Sequence, residues 1–276
     1  MIKPIVVRGG GDIATGTIYR LCKSGYPVLI LETARPTAIR RKVAFCEAVY
    51  EGNMQVEDMC CTLVHSLEEA TEKLNAQNAG NREPVLLVDE KAESLSVLKP
   101  DILIDGILAK RNMGTRKEMA DLVIGFGPGF TAGEDVDYVI ETMRGHNLAR
   151  IIEKGSAMPN TGVPGIIAGV GAERVIHAPA DGIFRKKAHI SDQVKAGDIL
   201  GVIEKNGYET PVLASIDGVL RGILRDGFTV FKGLKMADID PRLSEKKNCF
   251  TISDKARCIA GSVLELVVAY EKTHIS

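Results

Sequence analysis

Apolar residues along this chain fall into short runs, each cut off by glycine or by an acid. Ile5-Val6-Val7, entered from Met1-Ile2-Lys3-Pro4, is a β-branched run that stops at Gly9-Gly10-Gly11. Ile13, Ile18, Leu21 and Cys22 then return at near-helical spacing, predicting a helix over residues 13–23 that Gly25-Tyr26-Pro27 ends. Val28-Leu29-Ile30-Leu31 is the next strand, stopping at Glu32. Strand, glycine turn, helix and parallel strand thus follow one another within about thirty residues. Residues 43–50, followed by Gly52-Asn53, read as a strand and turn, and Met59–Val64 as a further strand. Ser66 is a cap for a helix over 67–78, with Glu68, Glu69 and Glu72 near its amino end. Three buried-strand runs come next: 85–88 ending in Asp89, 102–104 ending in Asp105, and 122–124 ending in Gly125-Phe126-Gly127-Pro128-Gly129. In an open α/β sheet these carboxyl ends converge on one crevice.

From about Ile166 the texture changes. Glycines become dense, and short segments alternate over 174–177, 182–186, 199–203, 211–214 and 218–224, with Asn206-Gly207 as a hairpin turn. A last helix has Ser253 as its cap and Ile259, Val263, Leu266, Val267 and Tyr270 on one face. The pattern predicts an α/β fold: a Rossmann-like, mostly parallel sheet with helices over 1–165, a small all-β module over 166–245, and a C-terminal helix over 246–276 that packs back.

Composition narrows the partners. A chain of 276 residues, 45% hydrophobic, has a formal net charge of −1 and a pI near 6.5. That balance offers no field for a polyanion, so nucleic acid is not an expected partner. Neither a leader nor a membrane span is expected, and the protein is read as cytoplasmic. Six cysteines lack both C-x-x-C and metal-ligand spacing, so they read as reduced thiols and no metal site is expected. Cys60-Cys61 is the one adjacent pair, read as one buried strand residue and one facing the opposite way, with sulfur or selenium chemistry as the rival reading.

Candidate chemistry centres on Gly9-x-Gly11-x-x-Ala14, after a strand and opening a helix. There the first glycine permits the turn, the second admits a pyrophosphate, the small third residue allows close packing, and helix amides hold the anion. Glu32, about twenty residues on, stands where an acid accepts from a ribose hydroxyl. Asp12 puts a carboxylate beside the phosphate site, which points to a metal, a hydroxyl-bearing ligand, or something other than ordinary NAD. Arg8 and Arg35 supply positive charge, Arg35 being placed for a 2′-phosphate; Arg40 and Arg41 read as a solvated face. Asp105 and Lys110 follow a buried strand, with Lys110 or Arg111 as a second phosphate site or as local ion pairs. Gly125, Gly127 and Gly129 form a second rigid turn suited to an anion or a flat ring. No Ser/His/Asp or Cys/His arrangement is defensible, and His146 stands alone.

Two resemblances follow. Arg8-Gly9-Gly10-Gly11-Asp12-Ile13-Ala14-Thr15-Gly16, Gly125–Phe130, and Glu141-Thr142-Met143-Arg144-Gly145-His146-Asn147-Leu148 together resemble the short form of the YqeB family. That resemblance implies an accessory protein that matures a selenium-dependent molybdenum hydroxylase of the xanthine dehydrogenase type, by handling a molybdopterin-type cofactor or inserting sulfur or selenium; it supplies no catalytic residues. His177–Ile183, Val194–Gly201 and Ser215–Val219 are similar to biotinyl and lipoyl domains of hammerhead type, with Lys205 near the hairpin tip. The methionines that flank a biotinylated lysine are missing, so the module reads as a docking use of that fold and not as a biotin or lipoate carrier. The expected function is therefore a largely non-enzymatic holder of a nucleotide, NAD(P) or molybdopterin-type cofactor, with a molybdenum hydroxylase as partner and self-association open. The alternatives are an NAD(P)-dependent oxidoreductase and a carrier modified at Lys205.

Overall fold

Period-two burial and glycine breaks give the chain two units, described in a computed structural model over residues 3–162 and 165–274; Met1 and Ile2 of the predicted first run lie outside the described residues. One unit comprises Met1–Pro36, Ala44–Asn160 and Ile252–Ser276, the other Thr37–Val43 and Thr161–Thr251.

The first unit begins with β1 (Ile5–Arg8), α1 (Asp12–Lys23) and β2 (Val28–Glu32). The stretch over 43–50, read from sequence as a strand, is instead a pair of short 3-10 turns running into α2 (Ala48–Glu51). Val43 to Ala48 are all buried, and amides within the stretch bond locally or to the glycine turn instead of to a neighbouring strand: Glu47 donates to the Ala44 carbonyl at 3.2 Å and Cys46 to the Gly10 carbonyl at 2.9 Å. Next come β3 (Asn53–Val56), β4 (Met59–Val64), α3 (Leu67–Asn75), β5 (Val85–Val88), α4 (Leu95–Leu98), β6 (Ile102–Asp105) and β7 (Leu122–Phe126). The small strands β8 (Thr131–Ala132), β9 (Tyr138–Ile140), β10 (Ile151–Ile152) and β11 (Gly155–Ser156) follow. The Ser66 hydroxyl accepts from the Glu69 amide at 3.1 Å, capping α3, which ends three residues short of its predicted limit.

Nine strands form one sheet in the order β10-β9-β7-β6-β1-β2-β5-β4-β3. The run β9-β7-β6-β1-β2-β5 is parallel throughout. Sequence order reverses at β1, which lies between β2 on one side and β6 on the other. Alternation along the strands sends Val6, Leu29, Leu31, Leu87, Leu103 and Val123 to one face, where Ala70, Leu74 and Leu95 join them. α1 takes no part in that cluster and packs against α5 (Asp254–His274), whose amino end is capped by the Ser253 hydroxyl accepting from the Ala256 amide at 3.2 Å.

The second unit is all-β. It contains β12 (Val175–His177), β13 (Gly182–Lys186), β14 (Gln193–Val194), β15 (Ile199–Lys205), β16 (Tyr208–Leu213), β17 (Gly218–Ile223), β18 (Thr229–Val230) and β19 (Lys235–Asp240). They make two four-stranded sheets, β12-β19-β17-β14 and β16-β15-β13-β18. Asn206 and Gly207 both take positive φ, 53° and 81°, as a two-residue hairpin between β15 and β16 requires. Phe184, Leu200, Val219, Leu220, Met236 and Ile239 lead its core, and Ile39 packs on them. Segment 37–43 belongs here because Ile39 sits over Gly222, where an added Cβ would meet the Ile39 carbonyl oxygen at 2.9 Å. The unit runs past residue 245 to Thr251 because Cys249 is buried in the same core.

The α1–α5 contact is close at Gly16, where a Cβ would lie 2.7 Å from the Ala256 Cβ and 2.9 Å from its carbonyl oxygen. Gly16→Ala gains about 1 kcal/mol of helix propensity but must push the two helix backbones away from each other. We expect a net loss of roughly 1–2 kcal/mol, the overpacking cost prevailing, read as a lower urea midpoint; an unchanged or raised midpoint would contradict this packing.

Candidate functional site

Because β1 ends at the reversal of strand order, the chain leaving it must turn tightly, and Gly9 does so with φ at 89°. Its missing side chain also admits the backbone after β6: a Cβ there would lie 3.0 Å from the Ile107 Cα. Gly10 is hemmed in on the other side, 2.9 Å from the Cys46 amide nitrogen by the same measure. The Cys46 amide donates to the Gly10 carbonyl at 2.9 Å, and the Thr15 hydroxyl donates to that oxygen at 3.2 Å. Gly11 differs from both. It caps α1 in extended conformation without a side-chain bond, and nothing lies within 4 Å of the position its Cβ would take. Ala14 is small for the expected reason: Gly106 approaches so closely that a Cβ there would sit 2.8 Å from the Ala14 Cβ.

Glu32 closes this turn. Its Oε2 accepts from the Gly10 amide and its Oε1 from the Thr33 amide, each at 2.8 Å. Burial raises its carboxyl above the ordinary range, the two amides pulling the other way and Glu90 adding repulsion. Arg8 turns into the protein: 4% exposed, it donates to the Thr115 hydroxyl at 2.5 Å and to the carbonyls of Glu90 and Met113 at 3.4 Å each. Thr115 in turn donates to Asp105 Oδ2 at 2.6 Å, and Arg8 lies 3.7 Å from that carboxylate. Burial raises Asp105 also, against the pull of Thr115, the Ile107 amide and Arg8. Arg8 therefore holds the loop over 107–116 in place.

The predicted residues thus fall into groups. Arg8, Gly9, Gly10, Gly11, Ala14, Glu32 and Asp105 come together at the carboxyl ends of β1, β2 and β6. Asp12 stands half-buried in the first turn of α1, while Arg35 and Lys110 are exposed. Gly125, Gly127 and Gly129 serve packing: Gly125 makes room for the Phe130 ring at 2.6 Å, Gly127 for Thr142, and Gly129 for the Arg111 backbone at 2.7 Å. Glu141 is buried and accepts from the amides of Met143 and Met158 at 2.7 and 2.8 Å, so the block around Arg144 is a loop clasp. In β4 Cys60 is half-buried and Cys61 fully buried; burial raises both thiols, Cys61 well above its ordinary value, as it does Cys46. This is opposite to the shift that makes a thiol nucleophilic. Among the described residues no three His, Cys, Asp or Glu side chains gather to hold a metal ion, and no helix is long and apolar enough to cross a membrane.

Sequence reading passes over Thr115, a lone hydroxyl in a polar loop with nothing to mark it, and the Cys46 backbone. Arg8 and Asp105 do carry a signal, opposite charges ending two apolar runs, and they are register partners on adjacent strands. A cavity of about 1400 Å³ opens beside the turn, with Gly9, Leu31, Glu32, Glu90, Ile107 and Met113 along its wall.

With this geometry in view, sequence comparison gives one informative match. The uncharacterized protein YqeB of Escherichia coli (strain K12) is 46% identical over 264 residues, covering 96% of this chain and 47% of that protein. The chain is a YqeB homologue. It spans about half the length of that curated relative, and no family model matches it. Among solved structures, the product-bound ectoine utilization protein EutE (DoeB) from Ruegeria pomeroyi is 10% identical, with 85% of this chain and 56% of that one aligned at a TM-score of 0.24. A succinylglutamatedesuccinylase/aspartoacylase from Rhodobacter sphaeroides is 13% identical, with 86% and 85% aligned at 0.28. Scores this low establish neither a shared fold nor a shared activity.

Gly10 and Gly11 should respond differently to substitution. Gly10→Ala forces the Cys46 backbone away and should cost roughly 1–3 kcal/mol, whereas Gly11→Ser enters open space at a cap position and should leave stability unchanged or raise it by roughly a few tenths of a kcal/mol; urea midpoints of the two variants check this. Glu32 gives a pH signature. Its native carboxyl binds a proton at higher pH than the unfolded one, so its contribution to stability grows as pH falls through the raised native value and levels off below the ordinary carboxylate range. The midpoint of the wild type relative to Glu32→Gln should therefore rise as pH is lowered from neutrality toward the ordinary carboxylate range.

Proposed function

We propose that this YqeB homologue is a cytoplasmic accessory protein that matures a selenium-dependent molybdenum hydroxylase, holding a nucleotide-bearing or molybdopterin-type cofactor at the Gly9–Gly11 turn. The observation that carries the reading is the state of Gly11: the glycine at the mouth of α1 opens onto free space, at the strand end where sequence order reverses. An anion there meets the first-turn amides of α1 and the positive end of its dipole. The parallel order β5-β2-β1-β6-β7-β9 is that of doubly wound dinucleotide-binding sheets, which is why we read the first unit as Rossmann-like. Glu32, next to the turn and on the wall of the 1400 Å³ cavity, suits a ligand with hydroxyl groups to donate.

The second unit suits the role of a biotinyl- or lipoyl-like docking module, with the hydroxylase as the partner it receives. Lys205, at its hairpin, is paired with Asp181 at 3.0 Å, and we assign it no prosthetic group. In this reading Cys60 and Cys61 are structural, since burial keeps their thiols protonated.

Titrating wild type and Gly11→Ser with molybdopterin compounds, nucleotides, NADH and NADPH tests the proposal. The serine hydroxyl takes a first-turn amide, so we expect at least about a tenfold loss of affinity without loss of stability. Tight NADH or NADPH binding with turnover of an acceptor would replace the accessory role with that of an oxidoreductase.

A further inference from the structure

The cavity beside the turn is longer than one nucleotide needs. Its wall includes Gly9 and Glu32 at the carboxyl ends of β1 and β2, and also Lys3, Asp101 and Asp121 at the amino ends of β1, β6 and β7. From Lys3 to Gly9 an extended chain covers about 20 Å. Ligand sites in such sheets gather at the carboxyl ends, so a cleft that runs the full length of a strand requires a local cause. The cause is the cover on this face. A doubly wound sheet places long helices over both faces, but here the connections before β6 and β7 contribute only the four-residue α4 and a single 3-10 turn over Lys117–Met119. They leave a trough whose floor at the amino end is apolar, from Leu95, Pro100, Met119 and Ala120. Lys99, held in left-handed conformation at the end of α4, is exposed at its rim, with Asp121 opposite in charge on the same wall.

Resting on the nucleotide reading of the turn, we infer that the cleft takes a ligand with two ends. A nucleotide end lies by Gly9 and Glu32, and a second flat heteroaromatic ring lies at the amino ends of the strands. That ring stacks on the Leu95–Pro100–Met119–Ala120 floor and meets Lys99 and Asp121 with its polar edge. The volume agrees, since 1400 Å³ exceeds the roughly 300–1000 Å³ of ordinary small-ligand sites. The two ends are separable, which gives the test its form.

Calorimetric titration with AMP and with NAD as probes, on wild type, Ala120→Trp and Lys99→Glu, decides the matter. We expect wild type to bind NAD at least about tenfold more tightly than AMP, and both variants to bring NAD down to the AMP value while leaving AMP unchanged. Lys99 is exposed, so Lys99→Glu keeps the test valid should the bulkier tryptophan disturb folding. Equal affinities of wild type for the two probes, or variants that leave NAD binding intact, would overturn the second subsite and leave the nucleotide reading standing. Binding of neither probe would remove the nucleotide reading, and this inference with it.

Discussion

A missing side chain governs the architecture of the site. Gly10 has no Cβ, so the Cys46 backbone can lie against it, and its two peptide groups are used in opposite directions: the amide goes to Glu32 and the carbonyl receives Cys46 and Thr15. That single residue ties the end of β2, the first turn of α1 and the segment entering α2 to one another. Buried amides and carbonyls must find partners, and here each partner is also a piece of the wall. The neighbouring bolt of Arg8, Thr115 and Asp105 does the same for the loop over 107–116, through a hydroxyl that both donates and accepts.

How much of this is legible in the sequence depends on whether the signal is local. The strand–turn–helix–strand run over 5–32 can be read because each element carries its own period and its own stop. The turn at Asn206-Gly207 is equally readable, since two adjacent positive φ values demand those residues. The stretch over 43–50 misleads because continuous burial looks alike in a strand and in a tightly packed turn. Its partner in the fold is Gly10, more than thirty residues away, whose carbonyl takes the Cys46 amide. At the site, the chemistry of Glu32 is foreseeable but its direction is not: an acid at a strand end can face a ligand or the protein's own amides, and only the fold shows that two amides reach it first.

The glycine blocks carry a related lesson. Gly9, Gly10 and Gly11 form one string in the sequence, yet two of them make room for neighbouring backbone, while nothing lies within 4 Å of the place a Gly11 Cβ would take. Gly125, Gly127 and Gly129 look like a second anion turn on paper, but each faces a neighbour of its own: Phe130, Thr142 and the Arg111 backbone. Glycine content marks close approach without saying what approaches.

The partnership of α1 with α5 bears on how the molecule is made. Residues 12–23 leave the ribosome well before the helix they pack on, residues 254–274. Between them comes the entire β-rich unit, so the first unit is interrupted in sequence and its parallel sheet stays without one of its covering helices through most of synthesis. Vectorial folding can complete the inserted unit first, while the unit that holds β1 must wait for α5. A ribosome-bound chain stalled before residue 254 would then display a finished insert inside an unfinished host.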